Sequence, residues 1–159
     1  MELSAAQRER YERNLLVEGF TDRMQQALIA ARVAVVGAGG LGSAALNYLV
    51  AAGVGHLTLI ENDTVSLSNL QRQVLYTTAD MGRPKAEVAA MRLSRLNPGC
   101  DIRVVTARLT AANAAELLGG HDAVVDCTDN YDTRYVIDDF CREAEVPMIY
   151  GTAEAVGGQ

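Results

Sequence analysis

The sequence predicts an α/β fold: a mostly parallel sheet with helices on both faces, preceded by N-terminal helices. Three observations predict it. Compact apolar runs alternate with helical blocks along the chain, the order expected when crossover helices join parallel strands. The runs are apolar at consecutive positions, as in strands covered on both sides. The first run ends directly in Gly37-Ala38-Gly39-Gly40-Leu41-Gly42, a glycine turn between strand and helix that makes the fold Rossmann-like.

Residues 4–16 carry charges at helical spacing, and Thr21 or Asp22 is placed to cap a second short helix. Arg32–Val36 is a compact apolar run and reads as the first strand; residues 41–52 form an Ala- and Leu-rich helix stopped by Gly53 and Gly55. His56–Ile60 is the second strand. A polar, irregular connection follows as far as Met81. Pro84 suits a helix start, and Lys85–Leu96 continues the helix until Asn97-Pro98-Gly99 ends it. Then come a strand at 102–105, a helix at 111–118, a strand at Ala123–Asp126, a helix at 131–144 and a strand at 147–150. The expected organisation is an N-terminal helical segment, residues 1–31, and a nucleotide-binding domain, residues 32–159. The closing Gly157-Gly158-Gln159 reads as a stop in mid-domain, so the domain is expected to be truncated at its C-terminal end.

The chain of 159 residues is long enough to bury a core. A formal net charge of −6 argues against a nucleic-acid binder, which needs a basic surface. No apolar run approaches the roughly 20 residues that cross a bilayer. The charged N-terminus lacks the apolar core of a secretory signal. Cys100, Cys127 and Cys141 form no C-x-x-C pair; they read as reduced, partly buried thiols of a cytoplasmic protein.

In the glycine turn, Gly37 permits the tight bend, Gly39 lets backbone approach a phosphate, and Gly42 packs helix against strand. Amides at that helix start favour an anion. Glu61 follows the next strand, about twenty residues on, where an acidic side chain accepts bonds from ribose hydroxyls. These features leave the nucleotide open, because an NAD-dependent oxidoreductase domain would share them.

The connection after Glu61 bears on that choice. It contains Ser68-Asn69-Leu70-Gln71-Arg72-Gln73 and is long enough to carry function. Arg72 can fork onto phosphate oxygens, Asn69 and Gln71 can bind phosphate or ribose, and Lys85 adds a compact positive charge. A solvated surface loop is the competing explanation.

Together with Glu61-x-Asp63-x-Val65, Gly82-x-Pro84-Lys85-Ala86, Asp126-Cys127-Thr128-Asp129-Asn130, Arg10-Tyr11-x-Arg13 and Gly19-Phe20, this segment resembles the ThiF/MoeB/HesA family of ubiquitin-activating-like adenylyltransferases. The resemblance covers essentially the whole chain. It implies that Gly37, Gly39, Gly40 and Gly42 form a phosphate-facing turn and that Glu61, where most relatives have Asp, holds the ribose. Ser68, Asn69, Gln71, Arg72 and Lys85 would surround the triphosphate. Asp129, with Asn130 beside it, would sit near Mg²⁺ and the α-phosphate. Arg13 is similar to the arginine that family homodimers insert into the partner subunit's site. For some of these the plainer alternatives stay open: Asp126 as a strand-end cap, Asn130 as a helix cap, Arg13 as a surface charge. Tyr11, Tyr131 and Tyr135 read as packing residues, and His56 and His121 as structural.

The implied reaction is ATP-dependent adenylation of the C-terminal glycine of a small ubiquitin-like sulfur-carrier protein, of the thiamine or molybdopterin type, with release of pyrophosphate. The residues implied to act are Arg72, Lys85, Asp129 and Arg13. Many full-length relatives also hold a crossover cysteine, and many a structural zinc on two C-x-x-C pairs; this chain offers no such ligands. The alternatives are an NAD-dependent oxidoreductase domain and a non-catalytic nucleotide-binding module.

Overall fold

The computed structural model describes residues 2–154 and 157–159. Helix α1 (Ala5–Arg10) starts in a capping box, the Ser4 hydroxyl accepting from the Gln7 amide and the Gln7 side chain from the Ser4 amide. The charge spacing predicts a continuous helix here, but Tyr11 interrupts it before α2 (Glu12–Leu15). Tyr11 turns its ring inward, 5% exposed, and its hydroxyl accepts from Asn97 Nδ2 at 3.0 Å. Thr21 caps α3 (Asp22–Ala30) as expected. From α3, the buried Gln25 amide donates to the Ala52 carbonyl at 2.9 Å. The chain bends there at Gly53 (φ +100°), where an added Cβ would lie 2.7 Å from the Tyr11 ring. The N-terminal helices are thus bonded to the end of the helix that follows the glycine turn.

The sheet comprises β1 (Arg32–Val36), β2 (His56–Ile60), β3 (Asp101–Val105), β4 (Ala123–Asp126) and β5 (Met148–Tyr150), in the order β3-β2-β1-β4-β5 and parallel throughout. Helices α4 (Gly40–Ala52), α5 (Lys85–Leu96), α6 (Ala114–Leu118) and α7 (Tyr131–Glu143) make the crossovers. Alternation along β1 divides the core: Val33 and Val35 face one cluster with Leu46, Leu57, Leu59 and Leu93, while Ala34 and Val36 face another with Ile60, Leu118, Val124 and Ile137. The consecutive apolar positions therefore reflect burial on both sides. Because β1 lies between β2 and β4, strand order reverses at its carboxyl end, the place where open α/β sheets bind ligands.

The connection between β2 and α5 is less irregular than its composition suggests. Short 3-10 turns form at Leu67–Asn69 and Thr78–Asp80. The ends of the loop are clamped together: Val65 N–H donates to Arg83 O, Gly82 N–H to Val65 O and Lys85 N–H to Asp63 O, each at 2.9 Å. Buried Val65, Leu75 and Tyr76 anchor it in the core. Asp80, also buried, receives Thr77, Arg83 and Arg92. Burial pushes its carboxyl up, but the Thr77 hydrogen bonds and the two arginines outweigh that and hold it below the usual carboxylate value.

Other differences are local. The helix expected at 111–118 begins only at Ala114, because the Asn113 side chain accepts from Thr110 N–H and donates to Arg108 O, holding a turn instead. Tyr131 and Tyr135, read as packing residues, are 65% and 63% exposed, so they pack at the surface, against each other on α7. His121 is bonded on both ring nitrogens, to Leu118 O and Thr58 Oγ1. Beyond β5 a small antiparallel pair, β6 (Ala153–Glu154) and β7 (Gly157–Gly158), stands apart from the main sheet. Among the described residues no helix is long and apolar enough to cross a membrane.

Candidate functional site

A cavity of about 910 Å³ opens at the carboxyl ends of β1, β2 and β4. Its floor is the glycine turn. Gly37 (φ +93°) passes so close to the end of β4 that a Cβ would sit 2.9 Å from the Cys127 carbonyl oxygen, and one on Gly42 would sit 2.1 Å from the Gly37 oxygen. Gly42 is therefore a packing residue and does not line the cavity, whereas Gly37, Gly39 and Gly40 do. The first amides of α4 have no carbonyl within their own helix to bond; Gly40 and Leu41, which carry two of them, line the cavity, a setting that favours an anion.

The turn is held by two side chains. Ala38 N–H donates to Glu61 Oε2 at 2.8 Å, and Ala38 C=O accepts from the buried Tyr76 hydroxyl at 2.9 Å. Burial, then the Glu61 charge, raises the Tyr76 phenol above its ordinary value, so it stays a donor. The other Glu61 oxygen accepts from Asp63 N–H at 2.8 Å. Each carboxylate oxygen keeps a further lone pair for a second donor.

The loop supplies Asn69, Arg72 and Gln73 to the cavity. The Arg72 stem and the Gln73 amide each come to 3.5 Å from where a Cβ on Gly40 or Gly39 would project. Ser68 and Gln71 are exposed and do not line the cavity. Lys85, at the first position of α5, is buried and donates to Asp63 Oδ2 at 2.8 Å. Arg13 also lies outside the cavity, its side chain 88% exposed.

The opposite wall is built from β4, α7 and the chain after β5. Asp129 is exposed and lines the cavity. Asn130 lines it too, with Oδ1 taken as the cap of α7 by Thr133 N–H at 2.9 Å. Asp126 is fully buried: one oxygen accepts from Thr128 N–H and Oγ1, the other from Arg134 Nε at 2.6 Å. Burial, reinforced by Asp126, pushes the Cys127 thiol up to about 11, so it stays protonated near neutral pH.

Gln73, Asp63, Thr128, Arg134 and Arg108 line the cavity without having been singled out in the sequence. For Asp63 and Gln73 a signal existed, since both lie within the motifs around Glu61 and Arg72. For Arg134 none did: its partner is on a strand and the pairing exists only through the β4–α7 turn.

The model of the ThiF family matches residues 11–159. The chain belongs to the ThiF family. It is 49% identical over 158 residues to the molybdopterin-synthase adenylyltransferase of Salmonella typhimurium, a match covering 99% of this chain and 64% of that protein. It is 43% identical over 150 residues to the sulfur carrier protein ThiS adenylyltransferase of Escherichia coli, covering 94% and 60%. The structure of the E. coli tRNA N6-threonylcarbamoyladenosine dehydratase in complex with ATP superposes with a TM-score of 0.88 at 32% identity, covering 94% of this chain and 61% of that one. The chain spans about three-fifths of the length of these ThiF-family relatives.

Proposed function

We propose that this chain forms the ATP-binding part of an adenylyltransferase acting on the C-terminal glycine of a ubiquitin-like sulfur carrier. One observation carries the proposal. Gly39, Gly40, Asn69, Arg72, Lys85 and Asp129 converge on a single cavity at the switch point of the sheet. Its family relatives are named as adenylyltransferases of sulfur carriers and molybdopterin synthase, which supports the substrate class.

In the proposed reaction an oxygen of the glycine carboxylate attacks the α-phosphorus of ATP. The bond from that phosphorus to the β-bridging oxygen breaks, and pyrophosphate leaves with its electron pair. A carboxylate, with a pKa of about 4, is already deprotonated near neutral pH, so no general base is required. The protein's task is to align carboxylate and phosphorus and to offset charge on the departing pyrophosphate. Lys85 and Arg72 are the cations for that, Asn69 a neutral donor, and Glu61 the ribose acceptor.

Among the described residues no group of three or more His, Cys, Asp or Glu side chains forms a metal site. Asp129, exposed in the cavity lining, would be the residue to hold Mg²⁺, for which a single carboxylate beside a nucleotide commonly suffices. There it would neutralise phosphate charge. The exposed Arg13 suits a site on the partner subunit of a homodimer, and the setting is cytoplasmic.

The test is ATP–pyrophosphate exchange by the complete natural protein. Each small host protein ending in Gly-Gly is supplied in turn. Exchange that depends on one of them is expected. Absence of exchange with all of them, together with tight NAD binding, would sink the proposal in favour of the oxidoreductase reading.

A further inference from the structure

Arg134 makes more contacts than a helix surface residue needs. Its Nε donates to the fully buried Asp126 at 2.6 Å, and its Nη2 donates to the carbonyls of Thr128 at 3.1 Å and Gly151 at 3.3 Å. Its guanidinium carbon lies 5.8 Å from the Tyr131 ring centre and 5.4 Å from that of Tyr150, within cation–π range. One planar group therefore touches β4, the loop after it, α7 and the end of β5.

These partners face different parts of the cavity. Thr128 precedes Asp129, on the side assigned above to the α-phosphate. Gly151 leads into Thr152 and Ala153, which line the cavity at the start of the β6–β7 pair. Thr152 is bonded in both directions to Gln159, at 2.9 Å each, so fixing Gly151 fixes where that pair begins. The β4–β5 ladder runs as far as the Asp126–Tyr150 pair, and beyond it the Gly151 N–H to Asp126 O contact lengthens to 3.4 Å. Past the ladder the guanidinium fork links the two segments, and only an arginine can hold a carboxylate and two carbonyls from one rigid plane.

We infer that Arg134 is a positioning residue that sets the 151–153 segment against the 127–129 loop, so that an acyl group entering along the first is aligned on the α-phosphate of a nucleotide beside the second. The inference rests on the adenylation proposed above. It assigns Arg134 to alignment between substrates more than to affinity for ATP, most of whose proposed contacts (the glycine turn, Arg72, Lys85) lie on the floor and the opposite wall.

The experiment compares the complete natural protein with its Arg134→Lys and Arg134→Gln variants, measuring ATP affinity, carrier-dependent exchange and amide hydrogen exchange. Arg134→Lys keeps the charge but loses the fork. It should bind ATP within twofold of the parent, lose carrier-dependent exchange at least tenfold, and exchange amides faster at 127–129 and 151–153 together. Arg134→Gln should show the same split, more strongly; if it does not fold, Arg134→Lys decides the matter. Unchanged exchange in a folded variant would overturn the inference, and so would ATP affinity falling by as much as turnover. Failure of the parent protein to exchange would instead strike the adenylation proposal, and faster amide exchange at only one of the two segments would still refute the link.

Discussion

The two walls of the cavity are held by different physics. On the Glu61 side, Ala38, Asp63 and Lys85 are fixed by a web of separate bonds, several to backbone, within a loop whose ends are clamped. On the Asp126 side one buried ion pair joins β4, the loop after it and the chain after β5 to α7. A distributed web tolerates loss of a member. A single buried pair does not, because removing one partner strands a charge out of water. The first wall should therefore fail in chemistry before it fails in stability, while breaking the buried pair of the second should cost stability as well as chemistry.

The largest effect is expected on the second wall. Asp126→Ala leaves Arg134 unpaired and should cost about 3–5 kcal/mol of folding stability. Thermal or urea unfolding would measure it; a loss below about 1 kcal/mol, the range of a surface pair, would erase the contrast between the walls. On the first wall, Lys85→Ala should reduce carrier-dependent exchange by roughly 10²–10³-fold, the cost of removing one preorganised charge-stabilising group. Its unfolding midpoint should change far less than that of Asp126→Ala, and a variant with normal exchange would remove Lys85 from the chemistry. The smallest effect is expected for Tyr76→Phe, which orphans the Ala38 carbonyl. A buried acceptor left unpaired costs about 1–3 kcal/mol. Amide exchange should quicken first at the glycine turn, and a variant as stable as the parent would show that Glu61 alone fixes that turn.

The same contrast explains what the sequence made legible. Strands β1, β2 and β4 and helix α5 begin and end where the pattern puts them, because β-strands buried on both faces and a proline-led helix leave local signals. The glycine turn was readable for the same reason: Gly37 and Gly42 meet steric demands set within a few residues. That Tyr11 packs was readable, but its hydrogen-bond partner Asn97, far along the chain, was not. Nor was the 3-10 structure of the loop: at Thr78–Asp80 a local Thr77–Asp80 capping box is joined by Arg92 from α5. Among site residues, Asn69, Arg72, Lys85 and Asp129 do come together, while Ser68 and Gln71 point outside the cavity lining and Gln73 enters it. In a short helical turn neighbouring residues face different ways, and only the folded loop decides which of them looks inward. Arg134 was hidden for the reason the Tyr11 partner was: the two residues lie on different elements.

The measurement closest to the central claim is a structure of the chain with a non-hydrolysable ATP analogue. The triphosphate should lie over Gly39 and Gly40, within reach of Arg72 and Lys85, with the α-phosphate turned toward Asp129 and the opposite wall. A nucleotide bound elsewhere, or with its phosphates away from Arg72 and Lys85, would contradict the claim that the two walls form one adenylation site.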